Sequence, residues 1–297
     1  MLTRIIDVAD WISPSLKRLI VRMWYQYLTV LDKEALMTFM NFGYSDLNPD
    51  AIELALSDGD EVNRYCIQLY HLIAGAIELK GLDVLEVGCG RGGGASYITR
   101  YLHPRSMTGV DISENAIAFC NKYHCVEGLS FLQGDAESLP FDDNTFDVIV
   151  NVESSQFYGS MERFLREVFR VLRPNGYFLF TDFRSKDKID VLRKQFISSD
   201  LEVLKEESIT SNVLKALDCD NKRKLELIHQ KVPGIMRKHI QQFAGIQGTK
   251  TYEALRTGDA DYLSFILYKR GVSEPTKYEK VDQGSALLVA RAEVSHS

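Results

Sequence analysis

The stretch VLEVGCGRGGGAS, residues 84–96, joins a short apolar run to a cluster of five glycines. The apolar run is typical of a buried β-strand, and the residues after the glycines are typical of a helix. Glycines at such a junction let the backbone turn tightly, while the helix N-terminus offers free N–H groups. The stretch therefore predicts a nucleotide-binding loop between a strand and a helix.

The glycine cluster fits two cofactor patterns. Gly88, Gly90 and Gly93 match the dinucleotide fingerprint GxGxxG. Gly88, Gly90 and Gly92, with Glu86 before them, match ExGxGxG, the loop that binds S-adenosylmethionine (SAM). Cys89 is interpreted as a small spacer within this loop. The glycines alone leave the two cofactors open.

Acidic residues near the loop favour SAM. Glu86 would repel a pyrophosphate, whereas it suits the sulfonium and ammonium charges of SAM. Asp135, followed by Ala136, is placed to accept from an adenine amine. Asp111, with Ile112 beside it, is expected to bind the ribose hydroxyls under either interpretation. Asn151, in the polar end of FDVIVNVESS, is predicted to lie near the glycines.

Alternating strand and helix patterns predict an α/β fold with a parallel sheet. Further strand patterns occur at residues 106–112, 129–135, 146–152 and 176–183, and helical patterns at 94–102, 114–123 and 161–172. The turn RPNG, residues 173–176, separates a helix from a strand, and Gly176 is expected to take its positive φ.

Three segments are predicted along the chain. Residues 1–60 are expected to form a helical N-terminal extension, and residues 61–270 the main domain. A helical cap is expected as an insertion at about 210–258, before the last strand. Residues 271–297 form a polar tail that is predicted to be poorly ordered.

Composition excludes several classes of protein. The net charge of −6 disfavours a nucleic-acid partner. Five cysteines without a CxxC pair predict reduced thiols and hence a cytoplasmic enzyme. Residues 15–31 mix basic and large apolar side chains, so they are expected to pack on the core or to contact a membrane surface. Monomer and dimer both remain open.

The ordered motifs resemble class I SAM-dependent methyltransferases over roughly residues 60–185. These motifs are LEVGCGRGGG, GVDIS, GDAESLPF, FDVIVNVESS and LRPNGYFLFTDF. The resemblance implies a Rossmann-like, mostly parallel seven-stranded sheet in the order 3-2-1-4-5-7-6. It also implies SAM as cofactor and S-adenosylhomocysteine as product.

A narrower likeness extends over most of the chain. EVNRYCIQLYH, NVESSQFY and FAGIQGTKTYEALRTGDADY resemble the phthiotriol and phenolphthiotriol dimycocerosate methyltransferases. This likeness implies a small, apolar or lipid-like acceptor that is methylated on a hydroxyl oxygen. Sterol C-methyltransferases and natural-product N- or C-methyltransferases share much of the pattern and stay as alternatives.

The candidate catalytic residues surround the end of the fourth strand. Glu153 is predicted to remove the acceptor proton or to orient the base. Relatives commonly have histidine where this chain has Gln156, and glutamine cannot take a proton. His71 is therefore a substitute base, with His124 as a second one, and Tyr70 is expected to cover the cofactor. No histidine or acidic cluster suggests a metal.

Two other classes of function are alternatives to methyl transfer. A nicotinamide oxidoreductase would need an acid such as a Tyr-x-x-x-Lys pair, and no tyrosine in the chain has lysine four residues later. A SAM-binding protein without catalysis is conceivable because of Gln156. Methyl transfer to a small molecule is the function that the sequence favours.

Overall fold

The computed structural model describes residues 37–271 of the 297-residue chain. Within this range, seven strands form one sheet in the order β3-β2-β1-β4-β5-β7-β6. The strands are β1 Asp83–Val87, β2 Ser106–Asp111, β3 Leu129–Gln133, β4 Phe146–Val152, β5 Leu172–Ser185, β6 Glu202–Ser208 and β7 Ala260–Tyr268.

The strand directions agree with those expected. Strands β1 to β5 pair in parallel, whereas β7 is antiparallel to both β5 and β6. The helices are α1 Asp58–Glu61, α2 Arg64–Ala74, α3 Gly93–Leu102, α4 Glu114–Tyr123, α5 Met161–Val171, α6 Lys186–Ile197, α7 Thr210–Lys231, α8 Gly234–Phe243 and α9 Lys250–Thr257. The Rossmann-like fold and the predicted strand order are confirmed.

The start of β5 differs from the prediction. The residues of RPNG interrupt its pairing with β4, because Phe146 pairs with Leu172 while Val148 pairs with Tyr177. Asn175, at φ 65°, takes the left-handed conformation that was expected at Gly176. Asparagine tolerates this region because its short polar side chain can hydrogen-bond locally, and here Oδ1 accepts from the hydroxyl of Tyr268.

Side chains alternate along each strand, so the central strands contribute buried side chains to both faces of the sheet. Val84 joins the core cluster that includes α2, α3 and α4. Leu85 and Val87 join the cluster that includes α5 and α6. The central strands are thus covered on both sides, and their carboxyl ends are the part left open for a ligand.

Two further segments close over those carboxyl ends. Residues 37–57 run without regular secondary structure, and the ring of Phe42 stacks on Phe183 of β5 at 5.2 Å between centroids. Helices α7, α8 and α9 lie between β6 and β7, where a helical cap is predicted. The cap has a small core of its own, formed by Ile228, Val232, Ile240 and Ile246.

Some predicted segments lie outside the described residues. They are residues 1–36 of the predicted helical extension, which include the candidate membrane-contacting segment 15–31, and residues 272–297 of the tail. Residues 37–57 of that extension form no helix, contrary to the prediction. The division of the chain into three segments stays a prediction. Among the helices of residues 37–271, none combines the length and the apolar character that crossing a bilayer requires.

Candidate active site

A cavity of about 460 Å³ lies at the carboxyl ends of the central strands. Its volume is in the range of small-molecule sites. Ten predicted site residues line it: Tyr70, Gly88, Cys89, Gly90, Asp111, Ile112, Asp135, Ala136, Glu153 and Gln156. The structure therefore brings together most of the residues that the sequence singled out.

The glycine loop forms one wall of the cavity. Gly88 has a φ of +76°, and a Cβ there would come within 2.4 Å of the Ser154 hydroxyl oxygen. Its N–H and that of Cys89 both donate to the carbonyl of Val110. Only glycine allows this turn and this close approach. Gly92 also has a positive φ at the start of α3, but it does not line the cavity.

Asp111 holds the loop from the end of β2. Its Oδ2 accepts from the N–H of Gly90 at 2.9 Å, and its Oδ1 accepts from Ser113 at 2.8 Å. Burial raises the pKa of Asp111 to about 6. Each carboxylate oxygen keeps a further lone pair, so the group fits the two ribose hydroxyls of a nucleoside.

Asp135 and Ala136 line the neighbouring part of the cavity. Oδ1 of Asp135 accepts from the N–H of Glu137 at 2.9 Å, which fixes the turn after β3. A carboxylate and a nearby small residue at this strand end suit an adenine amine. Together with Asp111 and the glycine loop, these residues fit the adenosine part of SAM.

Glu86 lies behind the cavity wall. Its side chain is fully buried, and Oε1 accepts from the Tyr70 hydroxyl at 2.6 Å. Burial raises the pKa of Glu86 to about 8. Tyr70 itself lines the cavity, as expected of a residue that covers the cofactor. A direct contact between Glu86 and a cation therefore stays a prediction.

Asn151 also lies behind the wall. Its amide nitrogen is 2.9 Å from the Val87 carbonyl, 2.8 Å from the Ser154 hydroxyl and 2.9 Å from the Tyr158 hydroxyl. These contacts brace the glycine loop against the segment after β4. Asn151 is thus placed to support the cofactor loop from behind.

Glu153 has an unusual backbone and a buried carboxyl group. Its φ of 49° is uncommon for a residue other than glycine, and such residues often mark functional sites. Oε1 accepts from the Phe42 N–H at 2.7 Å and from the Tyr262 hydroxyl at 2.5 Å. Burial raises the pKa of Glu153 to about 8. The group is partly accessible from the cavity and shielded from bulk water.

The two histidines proposed as substitute bases lie elsewhere. His71 is exposed on α2 and its Nδ1 is 2.8 Å from the Tyr97 hydroxyl. His124 places Nε2 2.7 Å from the Arg91 carbonyl. Neither side chain lines the cavity. The face of α2 that carries His71 has an apolar pattern in the sequence, but in the fold it turns His71 outward. Neither histidine is therefore placed to act as the base.

Two groups of cavity residues were not predicted from the sequence. The first is the segment from Thr38 to Phe42, which has no periodic pattern. The second comes from the cap: His239, Gln242, Phe243, Lys250, Thr251 and Ala254. A single histidine in a helical pattern gives no signal by itself, since only the folded cap brings it to the site.

Metal ligation finds no support in the described part of the chain. Residues 37–271 contain no group of three or more histidine, cysteine or acidic side chains arranged to hold an ion.

Together, the glycine loop, Asp111 and Asp135 match the nucleoside of SAM.

Comparison with known proteins identifies the family. Residues 85–180 match the methyltransferase domain family. The chain is 39% identical over 257 residues to the phthiotriol/phenolphthiotriol dimycocerosates methyltransferase of Mycobacterium tuberculosis, covering 86% of this chain and 94% of that protein. It is also 39% identical over 248 residues to a fatty-acid O-methyltransferase of Mycolicibacterium smegmatis, covering 84% and 89%.

A solved structure supports the fold. The [4+2]-cyclase SpnF superposes with a TM-score of 0.65 at 21% identity, covering 86% of this chain and 96% of that one. This likeness concerns the fold alone. The relatives and the domain match establish that the chain belongs to the SAM-dependent methyltransferase family that includes the phthiotriol/phenolphthiotriol dimycocerosates methyltransferases.

Proposed function

We propose that the enzyme transfers the methyl group of SAM to a hydroxyl oxygen of an apolar, lipid-like small molecule. The observation that carries this proposal is the mixed lining of the cavity. Polar groups line it at the strand ends, and aromatic rings line it as well, including Phe157, Phe183 and Phe243. An apolar acceptor gains free energy when it buries its surface there.

The names of the relatives support the same class of acceptor. One relative is named for a long lipid polyol and another for a fatty acid. Both names describe lipid-like molecules, and the second names an oxygen of a fatty acid as the methylated atom. Transfer to a carboxyl oxygen is therefore the second candidate reaction.

The residues of this chain would perform three tasks. SAM supplies an already activated methyl group. The SAM molecule would be held by the loop and strand-end residues Gly88, Cys89, Gly90 and Ile112. Asp111 would bind its ribose and Asp135 its adenine, and Tyr70 would cover the cofactor. Positioning the acceptor oxygen in line with the methyl carbon supplies much of the rate. Glu153 and Gln156 line the same cavity, and they would orient that oxygen.

Incubation with methyl-labelled SAM and a total lipid extract tests the proposal. We expect label in a lipid product, and mass spectrometry should locate the added methyl group on an ether oxygen. A methyl ester would support the carboxyl alternative. Label only in protein, or SAM binding without any transfer, would exclude a lipid acceptor.

A cytoplasmic location and contact of residues 15–31 with a membrane surface stay part of this proposal. Both follow from the sequence, and both suit an enzyme whose acceptor is apolar.

A further inference from the structure

We propose that His239, on cap helix α8, is the general base that takes the proton from the acceptor hydroxyl. This inference rests on the proposed function, since only an alcohol acceptor needs such a base. The imidazole lines the same cavity as Glu153 and Gln156. Histidine is the side chain most often used to remove a proton at neutral pH.

The geometry of α8 places His239 next to the loop that follows β4. His239, Gln242 and Phe243 line the cavity from positions i, i+3 and i+4 of the helix, which share one face. The ring of Phe243 contacts that of Phe157 at 6.4 Å between centroids. Because Phe157 directly follows Gln156, this contact brings the histidine face of α8 over the acceptor end of the cavity.

The cap holds this face in place through polar contacts between its helices. The side-chain amide of Gln242 donates to the Thr251 hydroxyl at the start of α9. Its Oε1 accepts from the N–H of Lys250 at 3.0 Å. Ile240, next to His239, is buried in the core of the cap. The imidazole therefore projects from an anchored helix.

One ring nitrogen lacks a partner. Nδ1 of His239 is buried and has no hydrogen-bond partner among residues 37–271. Buried polar atoms are nearly always hydrogen-bonded, so an orphan on a cavity-lining side chain suggests a missing ligand group. Nδ1 is closed to water-sized groups in this orientation of the ring. A turn of the ring about its Cβ–Cγ bond would expose it to an acceptor hydroxyl, which would then donate to the imidazole.

The other candidate bases are less suited. Gln156 cannot accept a proton. Oε1 of Glu153 already accepts two hydrogen bonds, and burial favours its protonated form near neutral pH. His71 and His124 do not line the cavity. In this arrangement Glu153 acts as a positioning residue, and His239 takes the proton.

The step balances without a further reactant. A lone pair of the hydroxyl oxygen forms the bond to the methyl carbon as the carbon–sulfur bond breaks. The electron pair of that bond stays on sulfur, which becomes the neutral thioether of S-adenosylhomocysteine. The hydroxyl proton moves to the imidazole, which becomes an imidazolium. The imidazolium later gives this proton to water. The products are a methyl ether and an imidazolium.

The test uses two acceptors of equal chain length with methyl-labelled SAM. Hexadecan-2-ol must lose a proton, whereas hexadecanoate is already ionised. We expect His239→Asn to lower methylation of the alcohol by about 10²-fold or more, the usual contribution of a general base. The ratio of carboxylate to alcohol methylation should rise by the same factor.

His229→Asn is the matched control, since this exposed histidine lies ten residues earlier on α7. It should leave both activities unchanged. Affinity for SAM, measured by calorimetry, should be equal in all variants, and His239→Gln provides a second substitution if the asparagine variant folds poorly.

Full alcohol methylation by His239→Asn would overturn the proposal. Equal loss with both acceptors would do the same, because it would show that the ring only shapes the cavity. Wild-type enzyme that binds SAM but methylates neither probe would instead contradict the proposed function.

Discussion

Two buried carboxyl groups set the electrostatics of this site. Removal from water is the main cause of the raised pKa of both Glu86 and Glu153, and each carboxyl group accepts a hydrogen bond from a tyrosine hydroxyl. A carboxyl whose pKa is higher in the folded than in the unfolded chain binds a proton more tightly when folded. Its contribution to stability is present below the unfolded pKa and is lost as pH rises towards the folded pKa.

We therefore expect Glu86→Gln to change the pH dependence of stability. The pKa of Glu86 is about 8 in the folded protein, against an ordinary value of 4.5. The difference in Tm, variant minus wild type, should become more positive between pH 5 and pH 8, because glutamine has no proton to lose. Thermal unfolding monitored by circular dichroism across this range measures it.

Glu61→Gln is the control, since this side chain lies in the partly exposed ion pair with Arg64. Its difference in Tm should stay nearly constant from pH 5 to pH 8. A pH-independent difference for Glu86→Gln would show that Glu86 is ionised in the folded protein at neutral pH.

At the scale of elements, the contact between α2 and α3 positions the cofactor loop. A Cβ at Gly94 would lie 2.0 Å from Cζ of Tyr70, so only glycine allows the tyrosine ring to pack over the start of α3. That ring in turn lines the cavity and donates to Glu86. Gly94, the last glycine of the opening stretch, thus serves helix packing as well as ligand approach.

Gly94→Ala should destabilise the protein by about 1–3 kcal/mol, the usual cost of overpacking. In a Tyr70→Ala background the same change should be neutral or slightly stabilising, because alanine favours a helix by about 1 kcal/mol over glycine. Chemical denaturation of the wild type, the two single variants and the double variant gives the four free energies of unfolding that this double-mutant cycle requires.

Gly234→Ala provides the control, since no atom lies within 4 Å of a Cβ at that position. It should change the free energy of unfolding little. Equal destabilisation by Gly94→Ala in both backgrounds would contradict a clash with Tyr70.

At the scale of the whole molecule, the cavity joins the sheet, the segment from residue 38 and the cap. Glu153 follows β4, yet its partners are Phe42 and Tyr262, which are 111 and 109 residues away in the chain. A ligand in the cavity therefore links distant parts of the fold. Ligand binding to the native state should be visible as stabilisation of the entire domain.

SAM or S-adenosylhomocysteine should raise Tm, whereas NAD should leave it unchanged. A ligand at a hundred times its Kd stabilises the folded state by about 2.7 kcal/mol. Differential scanning fluorimetry with each compound measures this shift. Protection by NAD alone would contradict the assignment of the loop, and Asp111→Asn should weaken the shift caused by SAM.

Much of the fold and of the cofactor side follows from local sequence patterns. Glycines that tolerate positive φ, acids at strand ends and apolar runs act over a few residues, so the strands and the positions of Asp111 and Asp135 could be predicted. The strand order followed from the resemblance to methyltransferases. The start of β5 was less predictable, because Asn175 and Gly176 can both supply a turn.

The sequence by itself determined the strand–loop–helix alternation, the SAM loop and the family, because short-range backbone geometry and residue chemistry set these features. Only the tertiary structure decided which side chains meet in the cavity. It turned His71 outward, placed Glu86 behind Tyr70 and brought His239 from the cap. The physical reason is that burial and contact depend on segments separated in the chain, by 16 residues for Tyr70 and Glu86 and by 111 for Phe42 and Glu153. These segments meet only once the helices, the sheet and the cap have packed.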